Sequence, residues 1–96
     1  MLVTFNELAT RELNDAAQYY ERQQAALGTS FINEVERCTR DVVAFPQAGT
    51  IVRGTIRRRL CQRFPYALLY KVAGDEIRIL AVMNLKRRPG YWVGRA

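Results

Sequence analysis

Apolar residues recur along this chain in two rhythms, a helical one in the first half and a two-residue alternation in the second. Leu2-Val3-Thr4-Phe5 is a short β-type run stopped by Asn6, a good helix N-cap. Ala9, Leu13, Ala16, Ala17 and Tyr20 then fall at helical spacing and put one apolar stripe on a helix of about residues 7–24. The small alanines on that stripe predict a second helix packed closely against it. Phe31, Val35, Cys38, Val42 and Phe45 supply one, and Pro46 ends it. A short Ala-Leu-Gly connection at residues 26–28 makes the pair an αα-hairpin. Polar positions such as Glu12, Arg22, Glu34 and Arg37 read as its solvated face.

Pro46 to Gly54 reads as a loop in which Ile51-Val52 adds at most a short edge pairing. Three strand-like stretches follow, Thr55–Arg63, Tyr66–Val72 and Glu76–Asn84. Ala73-Gly74-Asp75 is a turn of hairpin length, so the last two are antiparallel neighbours. Tyr66, Leu68, Tyr70 and Val72 share one face of their strand, with Ala67, Leu69 and Lys71 on the other. Residues 76–84 are apolar on both faces, which places them centrally, whereas Arg57, Arg58, Arg59 and Arg63 put 55–63 at an edge or a functional face. The fold class is α+β, in the order β-α-α-β-β-β, with the helical hairpin packed on a small antiparallel sheet. Lys86-Arg87-Arg88-Pro89-Gly90-Tyr91-Trp92 leaves the last strand as a basic turn followed by aromatics.

Composition narrows the picture. The 96 residues suit a single domain, since a chain of this length buries roughly 60–70% of its unfolded surface. The longest unbroken apolar stretch, Ile79–Met83, is far short of the ~20 residues of a membrane span. Residues 1–5 lack the basic start of a secretory signal, so a cytosolic protein is expected. Cys38 and Cys61 then read as free, buried thiols. With no histidine and only two cysteines, a four-ligand zinc set cannot be assembled, and no metal or cofactor is expected.

Charge is segregated. Residues 1–41 carry seven acidic and four basic side chains, a balance of −3, while residues 42–96 carry two and eleven, a balance of +9. Thirteen of the fifteen cations are Arg, the side chain suited to bidentate capture of carboxylate or phosphate. Gly-rich phosphate loops, Ser/His/Asp or Cys/His sets and paired carboxylates among the strands are absent from the sequence. The candidate surface is therefore Arg57, Arg58, Arg59, Arg63, Lys86, Arg87 and Arg88, with Tyr91 and Trp92 either as anchors for a partner or as a C-terminal lock on the sheet.

The ordered set Glu12-Leu13, Ala16, Tyr19-Tyr20-Glu21, Leu27-Gly28, Phe31, Glu34-Val35, Pro46, Phe64-Pro65-Tyr66, Tyr70, Ala81-Val82, Arg88-Pro89, Tyr91-Trp92 and Arg95 resembles the RelE/ParE superfamily of bacterial type II toxins. The resemblance spans nearly the whole chain and implies a small toxin neutralised by a cognate antitoxin. The helical hairpin and the exposed sheet would then form the antitoxin groove. The Tyr19-Tyr20-Glu21, Phe64-Pro65-Tyr66 and Arg88-Pro89-Gly90-Tyr91-Trp92 pieces look ParE-like, which implies inhibition of DNA gyrase without chemistry of the toxin's own. The target-binding residues on that reading are Arg58, Arg59, Asn84, Arg87, Arg88, Tyr91 and Trp92. Asn84 stands where many relatives have His, removing the ordinary neutral-pH proton carrier. The alternative is a RelE-like endoribonuclease that meets the ribosome and mRNA, with Arg58, Arg87 and Tyr91 as catalytic candidates and Tyr91 or Lys86 moving the proton. A degenerate, non-toxic antitoxin-binding module is the third reading.

Overall fold

The computed structural model describes residues 1–96. Strand β1 (Leu2–Phe5) leads into helix α1 (Glu7–Gln23), started by the Asn6 side chain, whose Oδ1 accepts from the Leu8 N–H at 2.7 Å. Helix α2 (Leu27–Ala44) begins earlier than the apolar stripe suggested, because Leu27 and Gly28 lie in its first turn. The connection is therefore Gln24–Ala26, with Ala26 left-handed at φ 70°. Glu21 holds it shut, its carboxylate accepting from the N–H groups of Ala26 and Gly28, both at 2.9 Å. Gly28 is required by close approach, since a Cβ there would stand 2.5 Å from the carbonyl oxygen of Ala17. Phe45, the last residue of the predicted stripe, lies past the helix end and is 66% exposed.

The remaining strands are β2 (Thr50–Arg53), β3 (Ile56–Leu60), β4 (Tyr66–Ala73) and β5 (Glu76–Asn84), and the sheet order is β1-β5-β4-β3-β2. The Ile51-Val52 pairing is a full edge strand, and the Arg-rich strand stops at Leu60, where Cys61–Pro65 turn with Arg63 left-handed at φ 70°. Strands β2 to β5 form an antiparallel meander, but β1 runs parallel to β5, so the sheet is mixed. The helical hairpin carries the chain from one edge to the other, and the meander walks back to β1. Relative direction of strands so far apart in sequence leaves no mark on local periodicity.

The central pair β4–β5 carries one irregularity with consequences. Leu69 faces Ala81 and Tyr70 faces Ile79, leaving Leu80 as the extra residue of a β-bulge. The bulge switches the facing of β5. Before it Ile77 and Ile79 meet the helices, and after it Val82 does, while Ala81 and Met83 turn to the opposite face. Both faces of the sheet centre are thus apolar. The hairpin covers one through Phe31, Val35, Cys38 and Val42, and the other, with Ala67 and Leu69, is roofed by Trp92. Both cysteines are free, Cys38 buried and Cys61 half-buried. No helix is long and apolar enough to cross a membrane.

Two residues assigned to the solvated helix face are not solvated. Glu34 is buried, its carboxylate accepting from Arg37 Nε at 2.8 Å, Arg37 Nη2 at 2.6 Å and the Gln62 N–H at 2.5 Å. It ties α2 to the turn after β3, a contact between elements 28 residues apart that helical spacing cannot reveal. Glu12 is the second, taken up by the C-terminal segment and the edge of β5. Arg22 is exposed as expected, and Arg37 is half-buried between Glu34 and Asp41.

Candidate functional site

The basic turn is built around Asn84. Its Oδ1 accepts from the Lys86 N–H at 2.8 Å and its carbonyl from the Arg87 N–H at 3.0 Å, so Asn84 shapes the exit from β5. Lys86, Arg87 and Arg88 project exposed beyond it. Three further tight turns follow, closed by hydrogen bonds from Tyr91 to Arg88, Val93 to Gly90 and Arg95 to Trp92. They fold residues 88–95 back against the molecule.

What receives them is Glu12 of α1. Its Oε1 accepts from the Val82 N–H at 3.0 Å and Arg95 Nη1 at 2.9 Å; its Oε2 accepts from the Tyr91 hydroxyl at 2.7 Å and Arg95 Nη2 at 3.1 Å. Arg95 Nη1 also donates to the Leu80 carbonyl at 3.1 Å. The sheet explains the arrangement. β1 ends its pairing at Ile79, so the edge of β5 beyond the bulge has no strand beside it, and Glu12 with Arg95 satisfies its backbone groups instead. The Tyr91 ring has the Arg95 guanidinium 5.0 Å and the Arg87 guanidinium 4.1 Å from its centroid. Burial first, then the hydrogen bond to Glu12, pushes the Tyr91 phenol well above its ordinary value of 10.0.

The three consecutive arginines of β3 do not act together, because successive side chains of a strand point to opposite faces. Arg57 donates to the carbonyls of Gly49 at 2.8 Å and Gln47 at 3.0 Å. Arg59 lies 3.7 Å from Asp41 of α2. Only Arg58, opposite Leu69, stands on the face away from the helices. Arg59 is engaged with the hairpin on the other side of the sheet, so the fold does not bring it together with Arg58. Trp92, at 6% exposure, packs against Ala67, Leu69, Ala81 and Met83 and presents little surface to a partner. Arg63 stays exposed, its guanidinium 5.6 Å from the Phe64 ring.

Two hollows adjoin this region, each of about 240 Å³. One lies on the helix-free sheet face, with Leu69, Met83, Trp92 and Val52 beside the arginines Arg53 and Arg58. The other lies between α1 and the basic turn, walled by Asp15, Tyr19, Tyr66, Asn84, Arg87 and Tyr91. Arg58 thus lines the first and Arg87 with Tyr91 the second. No three His, Cys, Asp or Glu side chains converge as metal ligands. The sequence reading missed Glu12, Arg53 and Tyr19 as site residues. Tyr19 had a signal, an aromatic just off the apolar stripe of α1, and it is 55% exposed. Glu12 had none.

Residues 3–89 match the family described as ParE toxin of type II toxin-antitoxin system, parDE. The chain belongs to the ParE toxin family. Among solved structures, this ParE-family chain is similar to one described as the chromosomal ParDE TA system from P. aeruginosa. The TM-score is 0.65 at 17% identity, over 90% of this chain and 97% of that chain, a likeness of fold. No curated protein matches. The family match ends at Pro89, so Tyr91, Trp92 and Arg95, which make the second half of the site, lie beyond it.

Proposed function

We propose that this ParE-family toxin arrests growth in the cytosol by binding DNA gyrase through its C-terminal basic turn, with no bond-making step of its own, and is neutralised by a cognate antitoxin. One observation carries the choice of a binding over a cleaving toxin: in a chain without histidine, the Tyr91 phenol stacked against Arg87 has its proton committed to the Glu12 carboxylate, and burial together with that bond makes it a weaker acid and a poor proton carrier. Arg58 lines a different hollow, which also counts against the set Arg58, Arg87 and Tyr91 acting on one phosphodiester. Lys86, Arg87 and Arg88 serve as the anion-facing contacts, and Tyr91 orients Arg87 from beneath. The antitoxin is assigned to the helix-free sheet face, where an apolar floor beside Arg53 and Arg58 suits an acidic amphipathic segment.

Purified toxin incubated with gyrase and plasmid should block supercoiling or accumulate cleaved DNA, and Arg87→Ala with Arg88→Ala should weaken the effect about tenfold or more. Codon-positioned cleavage of mRNA on ribosomes, with gyrase unaffected at stoichiometric excess, would overturn the reading in favour of an endoribonuclease.

A further inference from the structure

We propose that Glu12 is the positioning residue of the target surface: a single helical carboxylate latches the C-terminal segment onto α1 and thereby sets where Arg87 points. The inference rests on the gyrase-binding reading for its functional consequence, but the latch itself is a property of the molecule. Four donors converge on this carboxylate, from β5, Tyr91 and twice from Arg95. Both partners of the ion pair are mostly buried, at 12% exposure for Arg95 and 17% for Glu12, so water screens them little. The chain of contact then runs outward. Glu12 holds the Tyr91 hydroxyl, the Tyr91 ring carries the Arg87 guanidinium, and Arg87 is exposed at the rim of the second hollow.

The other attachments of residues 85–96 are of a different kind. Trp92 anchors the segment to the opposite sheet face through apolar contact alone. Arg78 and Asn6 hold the Ala96 carbonyl at 3.4 Å and 3.0 Å, both at exposed positions. The Tyr91 ring also packs against the Trp92 cluster and lies under the Arg95 guanidinium, but its hydroxyl is bonded by Glu12 alone. Glu12 therefore fixes the hydroxyl end of the ring that carries Arg87, whereas Trp92 retains the segment. Asp15, one turn further along α1, faces the same hollow without a partner and offers Arg87 a competing position once Tyr91 is released. A released Arg87 that folds toward Asp15 no longer presents its charge outward.

Glu12→Gln tests this with little change of volume, since the amide oxygen still accepts from Val82 while the charge that gathers Arg95 and Tyr91 is gone. In full-length protein the concentration of toxin that half-inhibits supercoiling should rise about ten- to hundredfold, as for loss of charged hydrogen bonds. Amide hydrogen exchange should quicken in residues 87–95 and stay slow in Leu68–Tyr70. The double variant Glu12→Gln/Arg95→Gln should be no worse than the weaker single variant, because the two act as one unit. Unchanged exchange in 87–95 would overturn the latch, as would a loss of protection spread equally over the sheet. If the unmodified toxin leaves gyrase untouched, the gyrase reading fails while the exchange result still decides the latch. If exchange quickens as predicted but inhibition is unchanged, the positioning role is overturned.

Discussion

At the scale of single residues, two glutamates decide more than any arginine. Glu34 shows how a charge survives burial, through a bidentate guanidinium and a backbone N–H that between them use both oxygens. The Arg37 hydrogen bond, its largest influence, holds the Glu34 carboxyl below its ordinary value of 4.5, with burial opposing and the Gln62 N–H assisting. A depressed folded-state value means that the folded protein binds the proton more weakly than the unfolded chain. The resulting stability is present above pH 4.5 and is lost as pH falls through the folded value. Glu34→Ala should cost about 2–3 kcal/mol at pH 7, from the donors it strands, in urea unfolding monitored by circular dichroism. The same comparison at pH 3 should show a smaller difference. Equal losses at both pH values would show that the charge contributes nothing.

Elements impose their own requirements. The helical hairpin depends on small residues, with Ala17 and Gly28 at the place where the two backbones come closest. Gly28→Ala should therefore destabilise by about 1–3 kcal/mol through overpacking, even though alanine is the better helix former by about 1 kcal/mol. Thermal unfolding measures it; a raised midpoint would mean that the helices separate at no cost. The β5 bulge is the counterpart in the sheet. Were Leu80 paired in regular alternation and not bulged, Ala81 and Val82 would exchange faces, and the small surface on which Trp92 rests would be replaced by valine. Alternation alone reads β5 as apolar on both faces, which is correct, but it cannot reveal where the facing switches.

For the whole molecule, the segregated charge resolves into separate places. Arg57 and Arg59 are spent holding the hairpin and its loop, Arg95 holds the C-terminal segment, and Arg53 with Arg58 and Lys86 to Arg88 remain outward. The two hollows lie on either side of the C-terminal turn, with Arg53 and Arg58 in one and Arg87 in the other, so their charge contacts can be separated by substitution. Arg53→Ala with Arg58→Ala should weaken antitoxin binding about tenfold or more in calorimetry, while leaving inhibition of supercoiling unchanged. Parallel losses in both assays would mean that antitoxin and target share one surface.

The sequence by itself determined the two helices, the meander of β3 to β5, the turn at residues 73–75 and the membership of the cationic half. Those features rest on periodicity and on residue type, which are local. It also carried the family resemblance, down to Glu12 and Arg95, without a reason for either residue. Only the tertiary structure decided that β1 runs parallel beside β5, that Arg58 alone of three arginines faces outward on the open face, and that Trp92 is a roof. Above all it turned Glu12 from an apparent surface charge into the seat of four hydrogen bonds. A carboxylate is placed by the backbone groups that lack partners around it. Here those groups exist only because β1 stops short of the bulge, an event of strand pairing between residues more than 70 positions apart.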